Sequence, residues 1–209
     1  AQRKALALYH KAVLYEEKNQ TENALTYYLE AVDIMDTIND DRLRYLIYAR
    51  IAFIYSNRQL YDYADTYMEK AMKCALSSQD NYYIANSYNN MARLNYAKKN
   101  YTLAIKYYDK AIEFGRISQN QVLLNNTIQE KTSILIKQGK IKEAQLMIDT
   151  LKHSKQVSQT HLILGYLYAE LNQVDSAYYY LNKASLSENI YTQRTAFQAL
   201  FNLSKRIKD

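Results

Sequence analysis

Apolar and small residues recur along this chain at the spacing of α-helices. Tyr48, Ile51, Ala52 and Tyr55 follow an i, i+3, i+4, i+7 order, which places them on one stripe of a helix. The next segment, "ADTYMEKA", begins at Ala64 and carries two alanines seven residues apart, which also share a helix face. The pattern therefore predicts a pair of helices whose packing stripes differ.

The alanine-flanked octapeptide recurs at a fixed distance along the chain. Its first residue advances by 40, 40, 40 and 33 positions, and a small residue stands twelve positions before each copy. Such a period indicates stacked helix pairs, each covering apolar surface that its neighbour would otherwise expose. The first residues of the copies are Ala24, Ala64, Ala104, Ala144 and Ala177, and the small residues before them are Ala12, Ala52, Ala92, Thr132 and Gly165.

The joints between the helices repeat as well. Short polar residues at positions 40, 80 and 120 precede each new first helix, where their side chains can accept a hydrogen bond from an unpaired backbone N–H. Tight turns are expected between the two helices of each pair. The turn positions are Asn19-Gln20, Gln59-Leu60, Lys99-Asn100, Gln138-Gly139 and Asn172-Gln173.

The repeated pattern resembles the tetratricopeptide repeat, whose pattern is W-x2-L-G-x2-Y, then A-x3-F, then P. The resemblance lies in the small residue, the Tyr three positions after it, and the Ala that is followed by an aromatic residue four positions later. The resemblance implies an all-α fold, a right-handed α-α superhelix of five helix pairs plus a terminal helix, forming one domain over residues 1–209. This chain has no Trp, no closing Pro and a step of 40 rather than 34, so we expect longer helices. The expected repeats are 5–40, 41–80, 81–120, 121–155 and 156–187, followed by a terminal helix over 189–207.

The shorter step between the fourth and fifth copies predicts a change in the stack. Seven residues are missing there, and we place the loss near "LKHSKQVSQT", at the end of the fourth pair. A local bend or a short helix is expected at this point.

Composition and charge exclude several classes of function. The chain is 48% hydrophobic and contains no Pro, which favours a helical protein with a core, and its net charge of +6 is spread along the whole length, which argues against nucleic-acid binding by this fragment. No apolar run approaches the length of a membrane span, so we expect no membrane insertion by this fragment. Because the chain begins at Ala1 without Met, we expect it to be a piece of a longer protein.

No constellation of residues suggests catalysis, a metal or a cofactor. His10, His153 and His161 fall in different repeats, and we expect His161 to be a core residue. No glycine-rich phosphate loop is present, and Asp40-Asp41 is most simply a helix start. Cys74 is expected to be a small buried residue in a helix. We therefore predict a protein that is not an enzyme and needs no cofactor.

Most of the 23 tyrosines fall at packing positions of the repeat, as Tyr15, Tyr28, Tyr55, Tyr108 and Tyr168 do. Tyr96 and Tyr166 are left without a packing role. Tyrosine suits interfaces because it offers a rigid apolar surface and a polar tip.

The resemblance implies that the first helices of the pairs line a concave wall. On this wall we expect many carboxamides, which can pair with the backbone of an extended peptide, and two cations, which can hold a carboxylate. The two-carboxylate clamp of chaperone-binding tetratricopeptide domains is not reproduced. The predicted groove residues are Phe53, Asn86, Asn89, Arg93, Tyr96, Asn126, Gln129, Ser133, Lys137 and Tyr166.

These observations predict a non-enzymatic module that binds a protein or peptide segment. The composition and the step of 40 also resemble the repeat segments of bacterial (Bacteroidetes-like) transcriptional regulators and sensor kinases, and of cytoplasmic regulators that sense peptides. A structural scaffold that oligomerises through its convex face or its terminal helix is the alternative. The compartment stays open: periplasmic for the sensor of a membrane-anchored regulator, otherwise cytoplasmic.

Overall fold

The computed structural model describes residues 1–35, 37–151 and 157–208 as two compact units, Ala1–Gln121 (unit 1) and Val122–Asp209 (unit 2). Within these described ranges all regular structure is α-helical, as the sequence predicts. The helices are α1 (Gln2–Glu17), α2 (Thr21–Met35), α3 (Asp41–Asn57), α4 (Tyr61–Ser77), α5 (Asn81–Ala97), α6 (Tyr101–Ile117), α7 (Gln121–Lys137), α8 (Ile141–Leu151), α9 (Val157–Glu170), α10 (Val174–Ser185) and α11 (Ile190–Lys208).

The repeated alanines of the second helices lie in the core, as their spacing predicts. Each alanine of the second helices is fully buried, and so is the larger residue between each two of them. Small side chains let the helix axes approach closely, and the larger residue fills the space beside them. The alanines are Ala24, Ala31, Ala64, Ala71, Ala104, Ala111, Ala144, Ala177 and Ala184, and the larger residues are Tyr28, Met68, Tyr108, Ile148 and Leu181.

Tyrosine pairs join the first and second helices at the edge of the core. Tyr15 stacks on Tyr27 with ring centroids 5.2 Å apart, and Tyr55 stacks on Tyr67 at 5.7 Å. In unit 2, Tyr168 stacks on Tyr180 at 5.4 Å. These rings are half-buried, so the repeated tyrosines of the first helices pack as the sequence predicts.

Each turn between paired helices contains one residue with a left-handed backbone. The values of φ are 57° at Asn19, 61° at Gln59, 63° at Lys99 and 70° at Gly139, which are steps of 40 residues. The turn positions were therefore predicted correctly, although in the fourth turn the left-handed residue is the second of the predicted two. Only glycine adopts this conformation without steric cost.

Gln59→Gly should stabilise the protein, because it relieves the left-handed strain at a residue whose side chain is exposed. We expect the free energy of unfolding to rise by about 0.5 to 1 kcal/mol, since the relief exceeds the entropy that glycine adds to the unfolded chain. Urea denaturation followed by circular dichroism measures the change. Gln138→Gly, the same substitution at a turn residue without positive φ, should not stabilise, and equal gains in both variants would contradict the explanation.

Polar caps begin the first helices. Asp40 Oδ1 accepts a hydrogen bond from Leu43 N at 2.9 Å, and Asp80 Oδ1 accepts one from Tyr82 N at 2.9 Å. Asn189 does the same for α11, accepting from Thr192 N at 3.0 Å. The capping roles of positions 40 and 80 are therefore confirmed, and α11 begins in the same way as the first helices of the pairs.

Arg44 ties the end of α2 to the start of α3. Its Nη2 donates to Met35 O at 2.8 Å and to Ile38 O at 2.5 Å, and its Nη1 lies 3.1 Å from Asp41 Oδ1. The guanidinium is a second donor to Met35 O, which also accepts from Ile38 N at 3.0 Å, and it satisfies Ile38 O beyond the end of the helix.

In unit 2 the second helices of the fourth and fifth pairs are shorter. α8 has 11 residues and α10 has 12, against 17 in α4 and α6. A short helix at the end of the fourth pair was predicted; residues 152–156 of that stretch, including His153, lie outside the described residues. α11 packs on α9 and α10 through buried Ala196, Ala199 and Leu203.

Candidate peptide-binding face

The two sides of α3 have different partners. Tyr48 and Tyr55 face α4, with ring centroids 6.0 Å and 5.7 Å from that of Tyr67. Helix geometry at 100° per residue places Arg42, Leu46 and Phe53 on the opposite side. We call this side of the first helices in unit 1 the groove face.

A cleft of about 120 Å³ opens between α3 and α5 on the groove face. Phe53 stands at its edge with 49% of its surface exposed, and buried Met68 of α4 lines it from below. The polar side chains of the α5 wall are those of Asn90 and Arg93, and they face the largely apolar wall that Phe53 belongs to. The lining residues are Ala49, Ala52, Phe53, Ser56 and Asn57 of α3, Met68 of α4, and Asn90, Arg93, Leu94 and Ala97 of α5.

The polar wall of the α3–α5 cleft combines a carboxamide and an exposed guanidinium. Asn90 Nδ2 donates to the hydroxyl of Tyr45 at 3.4 Å, and burial raises the pKa of Tyr45, so this partner stays a neutral phenol. Arg93 follows Asn90 on the same side of α5 and is exposed. The wall can therefore offer an amide and a cation to a bound segment, beside the apolar surface of Phe53.

The α3–α5 cleft is open because short side chains line it. In the equivalent position between α1 and α3, the Tyr28 hydroxyl donates to the Glu16 carboxylate, and Arg50 Nη1 lies 3.8 Å from Glu16 Oε2. Forty residues later, Ser56 replaces Glu16 and Asn90 replaces Arg50. The ion pair that fills the first space is thus absent from the second.

A second cavity, of about 320 Å³, lies between the N-terminal parts of α1 and α3. Its apolar surface comes from three leucines and its charge mainly from two arginines. The carboxylate of Asp40, also part of the lining, accepts hydrogen bonds from Gln2 Nε2 at 3.0 Å and Leu43 N at 2.9 Å. The lining residues are Gln2, Arg3, Leu6, Asp40, Arg42, Leu43 and Leu46.

The predicted groove residues of unit 1 fall into two groups. Phe53 and Arg93 are exposed and line the α3–α5 cleft together. Asn86 is half-buried on the same helix as Arg93, and half-buried Tyr96 packs near Tyr101 with ring centroids 5.6 Å apart.

Asn89 and Gln129 were expected on the groove wall, but their side chains are buried, with 2% and 3% of their surface exposed. Both are equivalent to Ala49, which stands on the flank of its helix toward the next repeat. Asn90, one position on, lines the cleft instead. Asn90 belongs to the series 86, 90, 93 and 97, whose i, i+4, i+7, i+11 spacing places these positions on one side of α5. This spacing could have identified Asn90 as a cleft residue from the sequence.

In unit 2, the predicted residues lie on α7 and α9. Half-buried Ser133 donates through Oγ to Gln129 O at 3.0 Å, and Asn126 is also half-buried. Tyr166 is 37% exposed; burial raises the pKa of its hydroxyl, while the charge of Lys137 acts in the opposite direction and Tyr191 raises it further. Lys137, Tyr166 and Tyr191 therefore lie near one another, and Tyr191 was missed because α11 was not treated as a first helix.

The residues considered above as candidates for catalysis or metal binding cap helices, form hydrogen bonds or pack against neighbouring side chains. Asp40 caps α3, while hydrogen bonds from Ser77 and Arg44 lower the pKa of Asp41. His161 is half-buried near Tyr180, and burial lowers its pKa. Cys74 is half-buried rather than fully buried. Over the described ranges, no group of three His, Cys, Asp or Glu side chains could hold a metal ion, and no helix is long and apolar enough to cross a membrane.

Stacked helix pairs with an open face on their first helices define a helical-repeat scaffold of the kind that binds other proteins. Two sequence profiles described as tetratricopeptide repeat match residues 43–116 and 5–34, both in unit 1. Residues 5–34 and 43–116 of this chain therefore belong to the tetratricopeptide repeat family.

One curated relative is a protein named STIP1 homolog from Dictyostelium discoideum. It is 30% identical over 125 residues, which cover 54% of this chain and 21% of the relative. The chain thus spans about a fifth of the length of this relative.

Solved structures share the fold at low sequence identity. A Rap protein complexed with competence and sporulation factor has a TM-score of 0.71 at 21% identity, covering 99% of this chain and 65% of that one. YrrB, described as a tetratricopeptide protein with an unusual peptide-binding site, has a TM-score of 0.55 at 18% identity, covering 96% and 92%. A signal transduction ATPase with a tetratricopeptide repeat sensor, from Pyrococcus horikoshii, has a TM-score of 0.74 at 19% identity, covering 95% and 31%.

Proposed function

We propose that this chain is a non-enzymatic module that binds an extended protein or peptide segment on the groove face of unit 1. The observation that carries the proposal is the α3–α5 cleft, where half-exposed Phe53 stands opposite the amide and cation of Asn90 and Arg93. An apolar anchor beside groups that can bind a peptide backbone or a carboxylate suits peptide recognition.

Two of the similar structures support this proposal. The Rap protein was solved in complex with competence and sporulation factor, and YrrB is described as having a peptide-binding site. Their identity to this chain is too low to transfer a ligand, so the proposal rests on the residues of the cleft.

We further propose that the module is the sensory or interaction segment of a larger bacterial regulator. The Pyrococcus horikoshii ATPase, in which a tetratricopeptide repeat sensor belongs to a longer signalling protein, offers a parallel for this arrangement. Binding at the groove face would then be the input that a further part of the protein reads.

Selection from a random peptide display library tests the peptide-binding proposal without a known ligand. The wild-type chain should enrich peptides, and Phe53→Ser should reduce their binding at least tenfold, because it removes the apolar anchor at the edge of the cleft. Leu76→Ser is the matched control, since Leu76 is 51% exposed against 49% for Phe53 but lies on α4, outside the cleft. Enriched peptides that bind both variants as well as the wild type would contradict the proposal.

The alternative function is a scaffold that oligomerises through α11. Phe197 and Phe201 are 56% and 54% exposed on this helix, and with Ile190 they form one apolar stripe. The scaffold function requires an oligomer in solution that Phe197→Ser/Phe201→Ser dissociates, measured by light scattering. A monomeric wild-type chain would eliminate it.

A further inference from the structure

The two cavities of the groove face lie on opposite sides of α3 and at different positions along its axis. Building on the proposed function, we infer that the bound segment is acidic and extended, and that it crosses α3 with two apolar side chains about four residues apart. One apolar side chain enters the cavity between α1 and α3, and the other enters the α3–α5 cleft.

Each cavity has an apolar surface for one side chain. Leu6, which is 43% exposed, and Leu46 contribute to the α1–α3 cavity, and Phe53 and Met68 to the α3–α5 cleft. The volumes, about 320 and 120 Å³, differ, so the first cavity accepts the larger side chain.

The charges around the cavities favour an acidic partner. Arg3 and Arg42 line the first cavity, and Arg93 lines the second. Arg42 is 64% exposed at its side chain although its Nη2 lies 3.5 Å from Asp80 Oδ2. The one carboxylate of the linings, that of Asp40, already accepts two hydrogen bonds. With one negative charge from Asp40 and one from Asp80 beside Arg42, the three guanidiniums still leave a net positive charge around the cavities, which attracts an acidic segment.

The direction of the bound segment follows from the side chains that fill the rest of the groove face on each side of α3. Toward α1, Glu16 and Arg50 occupy the C-terminal half, so only the N-terminal end is open. Toward α5, the rings of Tyr45 and Tyr83, 5.1 Å apart, occupy the N-terminal half, so only the C-terminal half is open. A segment that uses both cavities must cross α3 diagonally.

The distance between the cavities sets the spacing of the two apolar side chains. From Leu43–Leu46 to Phe53 is seven to ten residues along α3, which is about 10 to 15 Å, and the two sides of a packed helix are about 8 to 10 Å apart. The diagonal is then about 13 to 18 Å, which an extended chain covers in about four to five residues. Because only an even spacing places both side chains on the same face of an extended segment, the spacing is four. Anchors two residues apart cannot reach both cavities.

Synthetic 14-residue fluorescent peptides test the inference by anisotropy. Each contains two Phe anchors spaced by two, four or eight residues in a Glu/Ser background, and companions carry one anchor, or Lys in place of Glu. We expect the acidic peptide with spacing four to bind at least tenfold more tightly than the other acidic peptides and the Lys companion. Its affinity should fall as salt rises.

Two variants assign the anchors to the cavities. Leu6→Ser, at an exposed position of the first cavity, and Phe53→Ser should each reduce the affinity of the spacing-four peptide to that of the one-anchor peptide, whereas Leu76→Ser should leave it unchanged. Circular dichroism checks that each variant is folded.

Equal binding at all spacings, a preference for the Lys companion, or no effect of Leu6→Ser would overturn the inference. The proposed function would still stand if library-selected peptides bound through Phe53. It would fail as well if no binding, of selected or synthetic peptides, depended on Phe53.

Discussion

Gly165→Val should lower the free energy of unfolding by about 3 kcal/mol, because the substituted side chain would overlap Leu181. A Cβ at this position would stand 2.5 Å from Leu181 Cγ and Cδ2 and 3.3 Å from Leu181 N. Leu181 is fully buried in α10, so the packed residues around it restrict its movement. Urea denaturation followed by circular dichroism measures the loss.

A double-mutant cycle isolates this cause. Gly165→Ala should destabilise the wild-type protein by about 1 to 2 kcal/mol but be neutral or stabilising in a Leu181→Ala background, since alanine is the better helix former once the overlap is removed. Equal costs in the two backgrounds would show that close approach to Leu181 is not the reason for glycine at this position.

Arg44→Met should lower the free energy of unfolding by about 2 to 3 kcal/mol, because two charge-assisted hydrogen bonds to backbone carbonyls are lost. The bonds, to Met35 O and Ile38 O, join the end of α2 to the segment before α3, and the Arg44 side chain is only 24% exposed. Methionine keeps the apolar stem of the side chain, so the change reports mainly on the guanidinium. Thermal and urea unfolding followed by circular dichroism give the value.

Arg58→Met is the matched control for this second prediction. Arg58 is 26% exposed and its Nη2 lies 2.8 Å from Glu22 Oε1, but Glu22 is 82% exposed. A pair with such an exposed partner contributes at most about 1 kcal/mol. If Arg58→Met lowers the free energy of unfolding as much as Arg44→Met does, the hydrogen bonds from Arg44 to the two carbonyls do not explain its contribution to stability.

The helix pairs could be predicted from the sequence because their determinants are local and repeated. Ala64 and Ala71 must share a helix face whatever the neighbouring repeat contains, and the left-handed residues at Gln59 and Lys99 follow from the same period. Packing and turn geometry therefore depended on residues that recur every 40 positions.

The candidate site could be predicted only in part, because it depends on residues that break the period. Ser56 and Asn90 leave a cleft open where Glu16 and Arg50 close the equivalent space, and the spacing of small residues carries no trace of this difference. Asn89 was placed on the wall because its helical angle lies close to the groove face. Its side chain is buried instead, which the helical angle alone does not reveal.

The contribution of Arg44 to stability also could not be predicted from the repeated pattern. It depends on the path of the chain after α2, which brings Met35 O and Ile38 O within hydrogen-bonding distance of one guanidinium. No repeat of this residue pattern exists at 40-residue steps, since Ile84 and Leu124 occupy the equivalent positions.

Hydrogen–deuterium exchange of the chain with and without a library-selected peptide tests the central claim most directly. The account predicts slower exchange in α3 and α5 around Phe53 and Arg93 when the peptide is bound, and no such change in the Phe53→Ser variant. Protection confined to the second helices α2, α4 and α6 or to α11, with α3 and α5 unchanged, would contradict it.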